Sequence, residues 1–565
     1  MLRKPSRQAT RALVGVLAAL LLIPGCTRPI REQIVQKPPD SLRASPEDLR
    51  WFQQARFGLF IHWGPVSLKG TEIGWSRGGP RPGRTGTGTV PVEEYDNLYK
   101  RFNPTAFNAR EWVALARDAG MKYVVFTTKH HDGFCMFDSR LTDYKITNTP
   151  FRRDVTAELA EACHEAGLKL GFYYSPPDWY HPDYRSENHA RYVEYMHGQL
   201  RELCTRYGKV DILWFDGLDS TAEELDSEKL FAMIRSLQPG ILINNRAGLP
   251  GDFDTPEQTI GQFQNHRPWE SCITIGRQWS YKPDDKVKSR EEIIQTLVQC
   301  AGGDGNLLLN VGPMPTGQIE PAQAARLREV GAWLKQYGHT IYGTRGGPFV
   351  GWPWGASTYK GNEVFLHVFN WPQEIIKLPA GAGRVVSAAT LTGDKIETST
   401  TPRGTELRLP SERRDPADTI LALKFDRDPA TITPIERKSL TTGKKATASN
   451  VYQNNAKLGA EKALDGNRST RWATDTGVLS AWLEVDLGEP ATFNSATLAE
   501  EYDRVREFEL QIKEGEVWRT ITKGTKIGPA LSLQFEPVTA RYVRLNILKA
   551  TNGPTIWEFQ LHRDE

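Results

Sequence analysis

Cysteine is scarce in this chain, with six in 565 residues. Cys26 lies near the N-terminus, and the other five, Cys135, Cys163, Cys204, Cys272 and Cys300, include no C-x-x-C pair. An odd set without that spacing argues against a disulfide framework and a cysteine zinc site, and leaves small buried side chains as the simplest role. Charge imbalance is also missing. Lys+Arg 71 against Asp+Glu 68 leaves +3, so nothing electrostatic points to nucleic acid as a partner. No glycine-rich phosphate loop follows an early strand, which removes the mark of a nucleotide cofactor on a doubly wound sheet. Long apolar runs are absent except one, Ala12 to Ile23, too short to cross a bilayer comfortably.

That run has the layout of an export signal: a basic start, "MLRKPSRQATR", an apolar centre, then small residues before Cys26. "LIPG" directly before Cys26 resembles the lipobox of bacterial lipoproteins. The resemblance implies a signal peptide over 1–25, acylation of Cys26, and a protein exported and anchored by lipid to the periplasmic or outer face of a bacterial membrane. Residues 26–45 are polar and contain proline, as a tether would be.

What is abundant is alternation. Apolar strands "FGLFIHWG", "MKYVVFTTKHH", "LKLGFYYSPPDW", "VDILWFDG", "GILINNRAG" and "NLLLNVGP" alternate with segments of helical apolar spacing such as "AREWVALARDAG" and "REEIIQTLVQC". This pattern predicts a parallel sheet, and its length suits an eight-stranded TIM-like α/β barrel over 46–345 with one or two irregular strands. Beyond Tyr342 short strands between turn residues predict a small β-sandwich at 346–432 and a second all-β domain at 440–565.

Each barrel strand ends in polar or aromatic residues: His62-Trp63, His130-His131-Asp132, Tyr173-Tyr174, Trp214 with Asp216, Asn244-Asn245-Arg246, and Asn310. Barrel enzymes assemble their sites from the C-terminal ends of several strands, so these clusters predict one shared polar mouth. Asp216 closes a buried strand, placed to act as nucleophile or base. "DFDTPEQ" supplies Glu257 and "RPWESC" supplies Glu270, both read as lying in a loop-rich stretch after the fifth strand. A strand-end carboxylate with a second from a nearby loop is the minimum equipment for cleaving a glycosidic bond.

"FGLFIHWGPVS", "KYVVFTTKHHDGFCMFDS", "ILWFDG", "TPEQ", "WESCITIGRQWSY" and "GNLLLNVGPMPTG", in this order, resemble the α-L-fucosidases of glycoside hydrolase family 29. The resemblance implies a TIM-like barrel followed by a β-sandwich, a retaining exo-acting mechanism on fucosylated oligosaccharides or glycoconjugates, and no catalytic cofactor. It makes Asp216 the nucleophile, and His62, His130, His131, Tyr173, Trp214 and Arg246 the grip on fucose. Trp63, Trp75 and Trp279 join that substrate-binding set. Glu257 is the first choice as acid/base and Glu270 its competitor. Many members carry a Glu-Trp pair on the loop after the first strand; here "TEIGWSRGGPRPG" separates Glu72 from Trp75.

"GAEKALDGNRSTRWAT", "AWLEVDLG" and "ARYVRL" resemble the discoidin-like sandwich of coagulation-factor C domains and bacterial galactose-binding modules. That resemblance implies a structural calcium with Asp465, Thr470 and Glu558 as contributors. Two rival readings are a metal-dependent barrel hydrolase using His62, His130, His131 and Asp216 as ligands, and a glycan-binding protein that has lost catalysis. The first wants two histidines one residue apart on the first strand, where "FIHWG" has one. The second wants a missing carboxylate, yet all three are present.

Overall fold

Seven apolar segments form fully or nearly fully buried parallel strands: β1 (Phe57–Ile61), β2 (Tyr123–Lys129), β3 (Lys169–Tyr174), β4 (Ile212–Phe215), β5 (Leu242–Ile243), β6 (Glu270–Thr274) and β7 (Asn306–Val311). The computed structural model describes residues 42–371, 375–402, 404–467, 470–528 and 531–564; the expected signal peptide, the tether up to residue 41 and Cys26 lie outside them. The strand order is β5-β4-β3-β2-β1-β7-β6.

The gap between β5 and β6 is closed by residues 252–258. Parallel bridges join Asn244 to Phe253, Asp254 to Trp269 and Glu257 to Cys272. Backbone bonds run from Asp252 N to Ile243 O at 2.6 Å and from Cys272 N to Pro256 O at 3.0 Å. This segment serves as the eighth, irregular strand. Pro256 lacks a ladder donor, and Gln258 has φ 52°, which ends the extended run. The strand after it also departs from expectation. Glu270, read as a loop residue, opens β6, because parallel pairing with β7 begins at Glu270 opposite Asn306. Likewise β3 stops at Tyr174, before the two prolines of "SPPDW".

Helices Ala109–Asp118, Val155–Ala166, His189–Arg206, Ser227–Leu237, Arg290–Gly302 and Pro321–Tyr337 bury one face each. Their starts are fixed locally: Asn108 and Asp154 accept first-turn N–H groups, and Ser289 forms a capping box with Glu292. The five cysteines are buried thiols.

After the last barrel helix come two antiparallel sheets around Trp354, Leu366, Ile376, Leu407 and Leu421. Asp304 ties them to the barrel by accepting from Arg56 and Arg345, each at 2.5 Å. The C-terminal unit has its own core of Trp472, Leu483, Phe493, Phe508, Leu545 and Phe559. Its segments "AWLEVDLG" and "ARYVRLNIL" belong to two strands of 20 residues, Ala481–Glu500 and Leu531–Ala550. The pairing register shifts between Asp486 and Ala491, so Gly488 and Pro490 are passed without ending the strand.

Candidate active site

The C-terminal ends of β1 to β4, together with the segment after β5, converge on Asp216. Its Oδ2 accepts from the Tyr173 hydroxyl at 2.9 Å, and its Oδ1 from Arg246 Nη1 at 3.1 Å. His131 Nε2 lies 3.5 Å from Oδ2. Burial alone would push this carboxyl up; the Arg246 charge and the two donated hydrogen bonds outweigh it, and its pKa ends below the ordinary value. The side chain keeps 14% exposure, enough to be reached from the cleft.

Arg246 is held rigidly. Nε donates to Thr255 Oγ1 at 2.9 Å, Nη2 to Thr255 O at 2.8 Å, and the guanidinium lies 4.8 Å from the Trp214 ring centroid. Its Nη1 also donates to Glu257 Oε2 at 2.8 Å. One nitrogen touching both carboxylates at 3.1 and 2.8 Å keeps those oxygens within about 6 Å, compatible with the spacing of about 5–5.5 Å between carboxyl groups in a retaining pair. Glu257 is 42% exposed, on the rim.

Glu270 occupies different ground. It is wholly buried in the barrel interior, where Tyr123 Oη donates to Oε2 and Trp214 Nε1 to Oε1 at 3.0 Å. Burial raises its carboxyl to about 7 against the pull of those two donors. A raised pKa is what an acid catalyst needs, so pKa favours Glu270 while position favours Glu257. A proton donor has to reach the leaving oxygen; Glu257 stands at the exposed rim, whereas Glu270 is wholly buried and held by Tyr123 and Trp214.

Two of the three histidines, His62 and His131, have tautomers fixed by their partners. Asn310 Nδ2 donates to Trp279 O at 2.7 Å, so its Oδ1 accepts from His62 Nδ1 at 2.6 Å. Ser175 Oγ donates its single hydrogen to Pro177 O at 2.7 Å, so it accepts from His131 Nδ1 at 2.6 Å. Both rings are left with Nε2 as an acceptor, and burial lowers each pKa to about 4. His130 stacks on Tyr173 at 5.5 Å and 5°. A Cβ on Gly74, at φ +64°, would sit 2.6 Å from His130 Nδ1, so only glycine fits beneath this ring.

Of "KHHD", only the histidines serve the mouth. Lys129 Nζ turns outward to Ser175 O and Asp178, and Asp132 accepts from Tyr95 Oη at 2.7 Å. Trp63 is a correction to the substrate-binding set. Its ring packs among Phe102, Phe107 and Trp112 in the layer behind the sheet, since neighbours in an extended chain point to opposite sides and His62 takes the cleft. Trp75 stands edge-on to His131 at 5.5 Å and to Trp179 at 5.2 Å, with Arg81 over both indoles. Trp279 faces His62 at 4.9 Å. Glu72 is spent on the backbone, accepting from Trp279 N at 3.0 Å and Ser280 N at 3.2 Å. Ser175, Thr255 and Trp179 escaped the sequence reading; Ser175 and Trp179 follow the end of β3, Thr255 lies inside the irregular strand, and they carry no further signal in the sequence.

Among the described residues, the group of His, Cys, Asp and Glu side chains close enough to share an ion is His130, His131 and Asp216, with ligand atoms within 4.8 Å of one another. Asp465 and Thr470 lie on one loop of the C-terminal unit, and Glu558 is buried on strand Thr555–His562.

The family model described as Alpha-L-fucosidase matches residues 26–339. The chain belongs to the α-L-fucosidase family. A model of the F5/8 type C domain matches residues 445–559. Tissue alpha-L-fucosidase of Bos taurus is 31% identical over 402 residues, covering 64% of this chain and 83% of its own. Alpha-L-fucosidase isoenzyme 1 from Paenibacillus thiaminolyticus is 38% identical with TM-score 0.62, covering 67% of this chain and 99% of its own. A family 29 enzyme from Bacteroides thetaiotaomicron, trapped as a covalent intermediate with 2-fluoro-fucosyl fluoride, is 31% identical with TM-score 0.59, covering 68% and 97%. The chain is accordingly a glycoside hydrolase, a retaining, exo-acting α-L-fucosidase of family 29.

Proposed function

We propose that Asp216 is the nucleophile and Glu257 the acid/base of this fucosidase. The observation that carries the pairing is the single Arg246 nitrogen touching both carboxylates. Asp216, kept ionised, attacks the anomeric carbon of a terminal α-L-fucosyl residue while Glu257 protonates the departing oxygen. Glu257, having given its proton to the departing group, draws one from the water that attacks the ester in the second step. The bare Nε2 atoms of His62 and His131 accept from sugar hydroxyls. His130, Tyr173, Trp214, Trp75 and Trp279 shape the walls. The loop bearing Arg81 and Arg84, the latter 2.9 Å from Asp219, borders the leaving-group side.

The test uses the chain from Thr27 onward on an aryl α-L-fucoside. Glu257→Ala should slow release by about 10²–10⁴-fold with a poor leaving group, and with a leaving group that needs no protonation added azide should restore turnover as α-fucosyl azide, of retained configuration. Restoration in Glu270→Ala but not in Glu257→Ala would overturn the assignment.

Two features outside the barrel belong to the same reading. Cys26 carries the lipid that anchors the exported enzyme, supported by the "LIPG" motif; mass spectrometry of the mature N-terminus without an acylated cysteine would refute it. The F5/8 type C loop holds a calcium ion. Thr470 Oγ1 lies 2.8 Å from each Asp465 oxygen, 2.7 Å from Asn467 O and 3.4 Å from Lys462 O. One hydroxyl hydrogen cannot serve all four, and an all-oxygen set is what a hard cation takes. Asp465 and Thr470 would hold it, with Glu558 as a further ligand. An unchanged melting temperature with chelator would refute the ion.

A further inference from the structure

Glu270 is a carboxylate in the middle of the barrel that the chemical steps do not use. It joins three strands. Tyr123, from the start of β2, donates to one oxygen, and Trp214, from β4, donates its indole N–H to the other. Room for Tyr123 comes from Gly58 on β1, where a Cβ would lie 2.3 Å from the tyrosine ring. Trp214 in turn lies against the side chains that set the nucleophile. Its ring stacks on Tyr173 at 5.6 Å and 17°, and the Arg246 guanidinium sits 4.8 Å from its centroid. Tyr173 and Arg246 are the two hydrogen-bond donors to Asp216.

We propose that Glu270 is a positioning residue, which fixes Trp214 through its indole N–H and thereby the two donors that orient Asp216. An indole rotates about its side-chain bonds unless its N–H has a fixed partner. In a dry interior an unpaired N–H is costly, so loss of the acceptor makes the ring seek another rotamer. A shift of Trp214 would carry Tyr173 and Arg246 with it, and misplacement of reacting groups by about 1 Å costs on the order of a hundredfold in rate. Glu270 and Trp214 are both wholly buried, so little water reaches this contact to replace the lost acceptor.

The proposal rests on the assignment of Asp216 and Glu257 above, and the experiment separates the two. Glu270→Ala and Glu270→Gln are compared on an aryl fucoside whose leaving group needs no protonation. Glu270→Ala should lower kcat by about ten- to a hundredfold with KM little changed, and azide should not restore it. Glu270→Gln keeps a carbonyl acceptor for Trp214 and should recover most of the rate. Near-ultraviolet circular dichroism should show the altered Trp214 environment in Glu270→Ala but not in Glu270→Gln. If Glu270→Ala fails to fold, the cycle of Glu270→Met, which fills the space without an acceptor, with Trp214→Phe replaces it. The phenylalanine has no N–H, so the loss caused by Glu270→Met should vanish in that background. Wild-type kcat in Glu270→Ala, or equal losses from Glu270→Met with and without Trp214→Phe, would overturn the positioning role. Azide rescue of Glu270→Ala would overturn it as well and make Glu270 the acid/base, whereas lack of rescue in Glu257→Ala alone would sink only the earlier assignment.

Discussion

At the mouth of the barrel and in the layer beneath it, two carboxylates are drawn out of bulk water, and burial pushes both toward the protonated form. At the mouth, Asp216 meets Arg246, and its pKa ends below the ordinary value. One layer down, Glu270 meets only the neutral donors Tyr123 and Trp214, and burial carries it to about 7. Both receive two hydrogen bonds, so hydrogen bonding does not separate them. The cation does. A carboxylate beside a fixed guanidinium can be both desolvated and ionised, which suits a nucleophile; one without it is a poor anion and a good anchor.

The comparison can be broken most severely by removing the mouth's carboxylate. Asp216→Ala should reduce turnover of an aryl fucoside by at least about a thousandfold, with no comparable loss in Glu270→Gln. Residual activity above about a tenth of wild type would place the nucleophile elsewhere. Arg246→Met should make Asp216 behave more like Glu270. The acid limb of the kcat/KM profile should move to higher pH, and activity should fall by about a hundredfold. An unmoved limb would show that the cation does not set the Asp216 charge.

Two tryptophans sharpen the same contrast between cleft and packing. Trp63→Ala should cost about 3–5 kcal/mol of stability and leave KM unchanged, because its ring lies in the aromatic cluster behind the sheet. Trp279→Ala should raise KM with little change in urea midpoint. The reverse outcome would return Trp63 to the cleft.

The smallest effect is in stability against pH. His62 and His131 fall from 6.5 to about 4 in the folded chain. The unfolded chain therefore binds protons first as pH falls, and the stability present above 6.5 is lost between 6.5 and 4, by up to about 3 kcal/mol each. Glu270 runs the other way. Its folded value of about 7 exceeds the ordinary 4.5, so its contribution is full below 4.5 and is lost as pH rises to 7. Urea unfolding of wild type and Glu270→Gln across both windows should show the upper loss only in wild type. Equal slopes would mean that Glu270 is not raised.

Much of this was legible in the chain itself. Strand after strand ended in polar residues, and those ends form the mouth. The histidine pair, Asp216 and Arg246 stand where the alternation placed them. Trp63 could have been excluded by that alternation too, since it neighbours His62 in an extended segment. The choice between Glu257 and Glu270 could not be read. Both follow a short apolar or prolyl stretch, and their fates depend on residues 252–258 closing the barrel as an irregular strand with almost no hydrophobic period. Nor could the roles of Lys129 and Asp132, whose partners are Asp178, on a loop, and Tyr95, on the short helix Val92–Asp96.

The sequence by itself determined the alternation of strands and helices, the ring of polar strand ends, the sandwiches that follow and the family to which the chain belongs, because each is written in local period or ordered motifs. Only the tertiary structure decided which glutamate shares Arg246 with Asp216, which ring nitrogen of His62 and His131 carries the proton, and which tryptophans face the cleft. Those depend on contacts between distant residues, such as His62 with Asn310, 248 positions apart, and Glu270 with Trp214, 56 apart. No local pattern encodes a pairing that exists only once the barrel has closed.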